Sequence, residues 1–170
     1  MKIAVILGTS RSDGNTRYMA EEFVAQTNAV FFDLADYDIS VFDYMHENKN
    51  DDFLSLISEL IEFDHLVFAS PVYWYSMSAQ MKTFFDRFSD LITIEKELGR
   101  KLKDKSISVI STGFDSEFPE CFIKPFELTA SYMQLAYKGC GYVSIQSESD
   151  LTRVTERVAQ AVNKLKGCGV

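Results

Sequence analysis

Five short apolar runs recur along the chain, and the segments between them carry apolar residues at helical spacing. KIAVIL (2–7), AVFFDL (29–34), HLVFA (65–69), SISVIST (106–112) and YVSIQ (142–146) read as strands, the first of them unbroken in its apolarity, as a strand covered on both faces should be. The intervening pattern predicts helices. Tyr18, Met19, Phe23 and Val24 form a stripe within 15–26, and Phe53, Leu56, Ile57, Leu60 and Ile61 share one face of 52–63. Met77, Met81, Phe84, Phe85 and Phe88 mark a helix over 77–91. Another is expected over 122–138, closed by Gly139 in the position of a C′ glycine, and a last one is marked by Leu151, Val154, Val158, Ala161, Val162 and Leu165. Strands alternating with helices imply a parallel sheet with helices on both faces, an α/β fold of three layers.

Two segments have no clean period. IEKELGRKLKDK (94–105), punctuated by Gly99, reads as a solvated turn. ADYDISVFDYMHENKN (35–50) reads as a long surface loop, at a length where loops tend to serve function. No repeat, low-complexity run or linker interrupts the pattern, so residues 1–170 are expected to form a single domain.

Charge and composition narrow the partners. The formal net charge of −8 opposes phosphate backbones, so nucleic acid is not an expected partner, and any anionic ligand needs a local feature that overrides the field. Cys121, Cys140 and Cys168 are widely spaced and form no CxxC pair, which fits a reducing compartment, the cytoplasm. His46 and His65 belong to no HExxH motif and no zinc-spaced cluster, so no metal is expected. The apolar run in MKIAVILG is too short for a secretory signal, and no run is long enough to span a bilayer, so no membrane association is expected.

In open α/β sheets the ligand binds beyond the carboxyl ends of the strands, where strand order reverses. The common order for five strands, 2-1-3-4-5, puts that point between strands 1 and 3 and singles out the loops 8–16, 70–77 and 112–119. The first, GTSRSDGNT, joins a buried strand to a helix and carries two glycines, hydroxyl residues, Asn15 and Arg11. Small side chains leave its backbone amides open, and the helix that follows presents its positive end. No Ser or Thr there has Glu or Gln three residues on, so a capping box is absent and the first-turn amides are left for a ligand such as phosphate; an ordinary strand-to-helix turn capped by Asn15 or Asp13 is the other reading. The spacing is not that of a Walker A loop, GxGxxG is missing, and no cysteine supplies a phosphatase CxxxxxR loop.

The second loop, SPVYWYSM (70–77), puts Tyr73, Trp74 and Tyr75 at a strand end, where loops are ordinarily polar. A flat ring system joined to a phosphate would account for both loops, since Tyr and Trp offer apolar faces with a polar edge. Packing under a loop or at a subunit contact is the other reading. The third, TGFDSEFPE (112–120), begins with Thr112 and with Gly113, which allows close approach of a ligand to backbone. Asp115, Glu117 and Glu120 read as solvent-facing rather than catalytic. No paired carboxylates, Ser-His-Asp set or activated cysteine is visible, which points to a cofactor that carries the chemistry itself.

GTSRSDGNT, SPVYWYSMSAQMKTFFDR and LKDKSISVISTG, in this order and spacing, resemble the flavodoxin-like NAD(P)H-dependent FMN reductase family, which includes quinone and azo-compound reductases. The resemblance implies a flavodoxin-like fold and bound FMN. The phosphate would lie on Ser10, Arg11, Ser12, Asn15 and Thr16, and the ring against Pro71, Val72, Tyr73 and Trp74, with Thr112 and Gly113 opposite. It also implies NADPH or NADH as donor, a small-molecule acceptor such as a quinone, a nitro or azo compound or free flavin, and a homodimer. Phe114 and Tyr75, with the 35–50 loop, are candidates for the substrate cavity. A flavodoxin-type electron carrier between proteins and a non-catalytic flavin-binding sensor are the alternatives. Some relatives carry an iron–sulfur cysteine cluster after strand 2, whereas ISVFDYMHENK here has no cysteine.

Overall fold

The computed structural model describes residues 1–147 and residues 155, 156, 159, 160, 162 and 163. Five strands, β1 (Ile3–Leu7), β2 (Val30–Asp33), β3 (His65–Ala69), β4 (Ser106–Gly113) and β5 (Ala136–Ser144), form a sheet in the order β2-β1-β3-β4-β5. Every pairing is parallel, with Ile3 opposite His65 and His65 opposite Ser106. This is the expected order, and it places the reversal at the ends of β1 and β3.

Side-chain alternation along the strands feeds two cores. On one face Ala4, Ile6, Leu66, Phe68, Ile107 and Val109 pack against α2 (Phe53–Leu60), α3 (Ala79–Asp86), α4 (Phe88–Thr93) and α6 (Glu120–Tyr132). On the other, Val5, Leu7, Val67, Ala69, Ile110 and Val143 meet Met19, Ala20 and Phe23 of α1 (Asn15–Thr27), together with Val162. Of the residues that mark the last predicted helix, Val162 is buried here, and Leu151, Val154, Val158, Ala161 and Leu165 lie outside the described residues.

Four expectations are corrected. The helix over 122–138 ends at Tyr132, and Gly139 lies inside β5, which begins at Ala136 rather than at Tyr142. Chain reversal after α6 uses Gln134 at φ 58°, with Leu135 N–H donating to Ala130 O at 2.8 Å. Gly139, at φ 124°, sits where the β4–β5 register shifts between Ile107 and Val109, so its freedom serves a bulge and not a helix end. The 77–91 helix is two helices, α3 and α4, meeting at Arg87. The 94–105 stretch is not merely a solvated turn, because it contains α5 (Lys96–Arg100), whose Gly99 packs so closely that a Cβ would lie 2.3 Å from the Leu91 carbonyl oxygen.

The 35–50 loop opens with a 3-10 turn, Leu34–Asp36, and is then held from beneath by Arg87. The Arg87 side chain is 1% exposed and pairs with Asp51 and with Asp90. It also donates to the carbonyls of Ser40 at 3.1 Å and Asn48 at 3.3 Å, and its guanidinium lies over the Phe53 ring at 4.8 Å. Asp90 in turn meets His46 Nδ1 at 2.7 Å. Burial pushes the Asp51 carboxyl up, but the bonds from Arg87 and from the Ser40 and Phe53 amides outweigh it and hold the group below its ordinary value.

Candidate active site

Three loops converge beyond the carboxyl ends of β1, β3 and β4. The first leaves β1 at Gly8, whose N–H donates to Ala69 O at 2.9 Å. A Cβ at Gly8 would lie 2.9 Å from the backbone nitrogen of Met81, so the loop crosses directly over the start of α3. Ser78 fixes this crossing. Its hydroxyl donates to Gly8 O at 2.7 Å and accepts from Met81 N–H at 3.1 Å as the N-cap of α3, while its own N–H donates to Ser70 Oγ at 3.0 Å.

The first loop runs into α1 through Gly14, the N-cap residue, and no side chain caps the helix. The amides of the first turn therefore keep their hydrogen-bonding capacity and the positive end of the helix dipole. Thr16 Oγ1 and Thr112 Oγ1, both buried, lie 2.7 Å apart and bolt the first loop to the third. The second loop continues the sheet, with Val72 N–H donating to Thr112 O at 2.9 Å. The third is gripped by β5 and the residues after it. Ile145 N–H donates to Gly113 O at 2.9 Å, and Tyr142 OH donates to Asp115 O at 2.7 Å. Ser144 Oγ and Gln146 Nε2 donate to Phe114 O at 3.4 and 3.3 Å. Burial, then the Asp115 charge, raises the Tyr142 phenol above its ordinary value, so it stays protonated and remains a donor.

These loops enclose a cavity of about 350 Å³, within the range of small-molecule sites. Of the residues expected from sequence, Arg11, Asn15, Thr16, Pro71, Val72, Tyr73, Trp74, Tyr75, Thr112, Gly113 and Phe114 all line it. Ser10 and Ser12 do not. Ser10 Oγ donates to Gln80 Oε1 at 3.4 Å, and Ser12 is exposed. Thr9, Gly14, Asp115 and Ile145 also line the cavity. Thr9 and Gly14 lie inside the motif already singled out, but Ile145 reads from sequence only as a strand residue, and Asp115 only as a solvated charge. Arg11 is the cation of the wall and lies 3.6 Å from Asp13.

The aromatic turn is strained. Tyr73 and Ser76 exchange both backbone hydrogen bonds, at 2.9 and 3.0 Å, around Trp74 at φ 49° and Tyr75 at φ 64°. Two consecutive positive φ values are the geometry of a type I′ turn, which favours Asn-Gly and penalises bulky side chains. Trp74 is 94% exposed, so burial does not offset that cost. The double variant Trp74→Asn, Tyr75→Gly is expected to be more stable by about 1–2 kcal/mol, the relieved backbone cost less the entropy of the added glycine. Urea unfolding checks this, and a lower midpoint would mean that the aromatics are held by contacts instead. Strain retained at an exposed cavity wall points to a role in ligand contact.

The sequence model of the family described as NADPH-dependent FMN reductase matches residues 1–148. A Bacillus subtilis protein named as an NAD(P)H-dependent FMN-containing oxidoreductase, YwqN, is 31% identical over 98% of this chain and 97% of its own. Among solved structures, the Trp repressor binding protein from Bacillus subtilis superposes with a TM-score of 0.76 at 28% identity, covering 97% of each chain. General stress protein 14 from Treponema denticola, solved in complex with FMN, shares the fold with a TM-score of 0.73 at 17% identity, covering 99% of each chain.

Proposed function

The chain belongs to the NADPH-dependent FMN reductase family, and on that premise we propose that its cavity holds FMN, with the phosphate on the first loop and the ring between the second and the third. Bound there, FMN supplies hydride acceptance from NADPH or NADH and onward delivery of the electrons to a small-molecule acceptor, a quinone, a nitro or azo compound or free flavin. The chemistry of the donor set supports this placement. Uncapped first-turn amides of α1, the hydroxyls of Thr9 and Thr16, the Asn15 amide and the Arg11 guanidinium suit a phosphate. Ser10 and Ser12, on the same loop, complete the proposed set. Pro71, Val72, Tyr73 and Trp74 offer an apolar wall, and Thr112 and Gly113, joined to it by the bond from Val72 N–H to Thr112 O, would meet the ring from the third loop. At Gly113 a Cβ would meet Tyr142 Oη at 2.7 Å and Val72 Cβ at 3.3 Å, so bare backbone is the only surface that fits.

The carrying observation is the uncapped helix end and the aromatic wall on one cavity. The test is the visible spectrum of the FMN-loaded protein as NADPH, then NADH, is added without oxygen. Rapid bleaching is expected. A bound flavin that stays oxidised would replace the reductase by an electron carrier or a sensor.

The proposed assembly is a homodimer. Leu128 and Tyr132 on α6 and Ile92 on α4 are exposed side by side along a groove, an apolar face that a second copy would cover. A monomer in sedimentation at micromolar concentration would exclude it. The proposed compartment is the cytoplasm, where Cys121 and Cys140 would stay reduced.

A further inference from the structure

The outer rim of the cavity is made of aromatic side chains and one carboxylate. Trp74 and Tyr75 stand exposed on the second loop, Phe114 stands exposed on the third, and Asp115 follows it on the same wall. The backbone of 113–115 is fastened to β5 and the residues after it by the bonds from Ile145, Ser144, Gln146 and Tyr142, so Asp115 is held at the rim by its carbonyl. Among the described residues no cation pairs with the Asp115 carboxylate, whereas Arg11, the wall's own cation, lies against Asp13. Aromatic faces and a carboxylate attract the same kind of ligand, a flat ring that carries positive charge. The net charge of −8 reinforces the preference.

We infer that the rim selects electron acceptors by charge as well as by flatness, and that Asp115 is the residue that sets this selectivity, favouring cationic aromatic acceptors over anionic ones of the same shape. This rests on the reductase reading for the word acceptor, but the recognition itself is a property of the rim. Opposite unit charges on a ligand held within about 8 Å of one carboxylate at the water boundary should differ in affinity by about tenfold at low ionic strength.

The probes are naphthoquinones that differ only in a tethered trimethylammonium or sulfonate group, so that ring and potential are matched. Trp74 is the only tryptophan of the chain and stands on the rim, so quenching of its fluorescence in FMN-loaded protein reads binding without turnover. The cationic probe is expected to bind about tenfold more tightly than the anionic one. That ratio should shrink as salt is raised and fall to about twofold in Asp115→Asn, whose backbone carbonyl still accepts from Tyr142. Should Asp115→Asn fail to fold, the salt dependence of the wild-type ratio decides in its place. Equal binding of the two probes, failure of both to quench, or a ratio unchanged in Asp115→Asn would overturn the inference. Reoxidation of photoreduced protein by the same probes gives the kinetic counterpart without using nicotinamide. A flavin that nicotinamide leaves oxidised while the charge preference holds would therefore remove the reductase reading and leave the rim assignment standing.

Discussion

Arg87→Met is expected to destabilise the protein by about 3–5 kcal/mol, a large share of what holds a domain of this size folded. The guanidinium is almost fully buried and serves two carboxylates, two carbonyls and an aromatic face. Methionine fills much of the volume but leaves Asp51 and Asp90 as buried charges without their cation. Removing one member of such a group is costly because the others cannot return to water. Arg87→Lys should recover only part of the loss, since an ammonium cannot reach along Nε and both Nη directions at once. Joint replacement of Arg87, Asp51 and Asp90 by apolar residues should recover more than Lys does. Urea unfolding of these variants is the measurement. A loss below about 1 kcal/mol for Arg87→Met would mean that water enters and screens the site. The same series should raise hydrogen exchange first in residues 38–52, because that loop hangs on this side chain.

Acid should weaken the fold through His65. The ring is fully buried in β3, with Nδ1 2.7 Å from Ser106 Oγ and Nε2 2.7 Å from Ser108 Oγ. Burial, then the Lys138 charge, lowers its pKa from 6.5 to about 4. The sign follows from which state takes the proton. Between pH 6.5 and about 4 the unfolded chain protonates this histidine and the folded chain does not. Its contribution is therefore complete above pH 6.5, drains away as pH falls toward 4, and changes no further below that. The interval corresponds to about 3 kcal/mol. His65→Leu removes the titrating group, so the stability difference between wild type and variant should narrow by about that amount between pH 7 and pH 4. Parallel losses in the two proteins would assign the acid sensitivity to other groups.

The sheet and the site's outline were legible for a simple reason. Buried parallel strands are written as apolar runs, and the residues at their carboxyl ends share one edge whatever the loops do. Thr112 and Val72 needed only to be placed on their strands for their proximity to follow. What sequence missed depends on local geometry. Gly139 signals positive φ, but the signal is the same for a helix end and for a bulge, and the true end of α6 uses Gln134, a residue without turn character. Tyr142, Ser144 and Gln146 lie within the predicted fifth strand, but no sequence signal shows that their side chains turn to grip the third loop. Arg87 sat inside a recognised motif, but its partners Ser40, Asn48 and Asp51 are 36 to 47 positions away, in a loop with no period to reveal where it lies. Ser10 is legible as a hydroxyl of the first loop, but only the structure shows that its Oγ also meets Gln80 Oε1 at 3.4 Å.

The bond between Thr16 and Thr112 joins side chains 96 positions apart. On the ribosome, the loop that ends at Thr16 emerges early, together with β1 and the uncapped start of α1. The wall that completes the cavity exists only after β4 has been made and has slotted in beside β3. A nascent chain halted before residue 112 would carry the loop proposed for the phosphate but not the wall proposed for the ring. The ring site proposed here is thus complete only in the last third of synthesis, and a product terminated before that point would lack it.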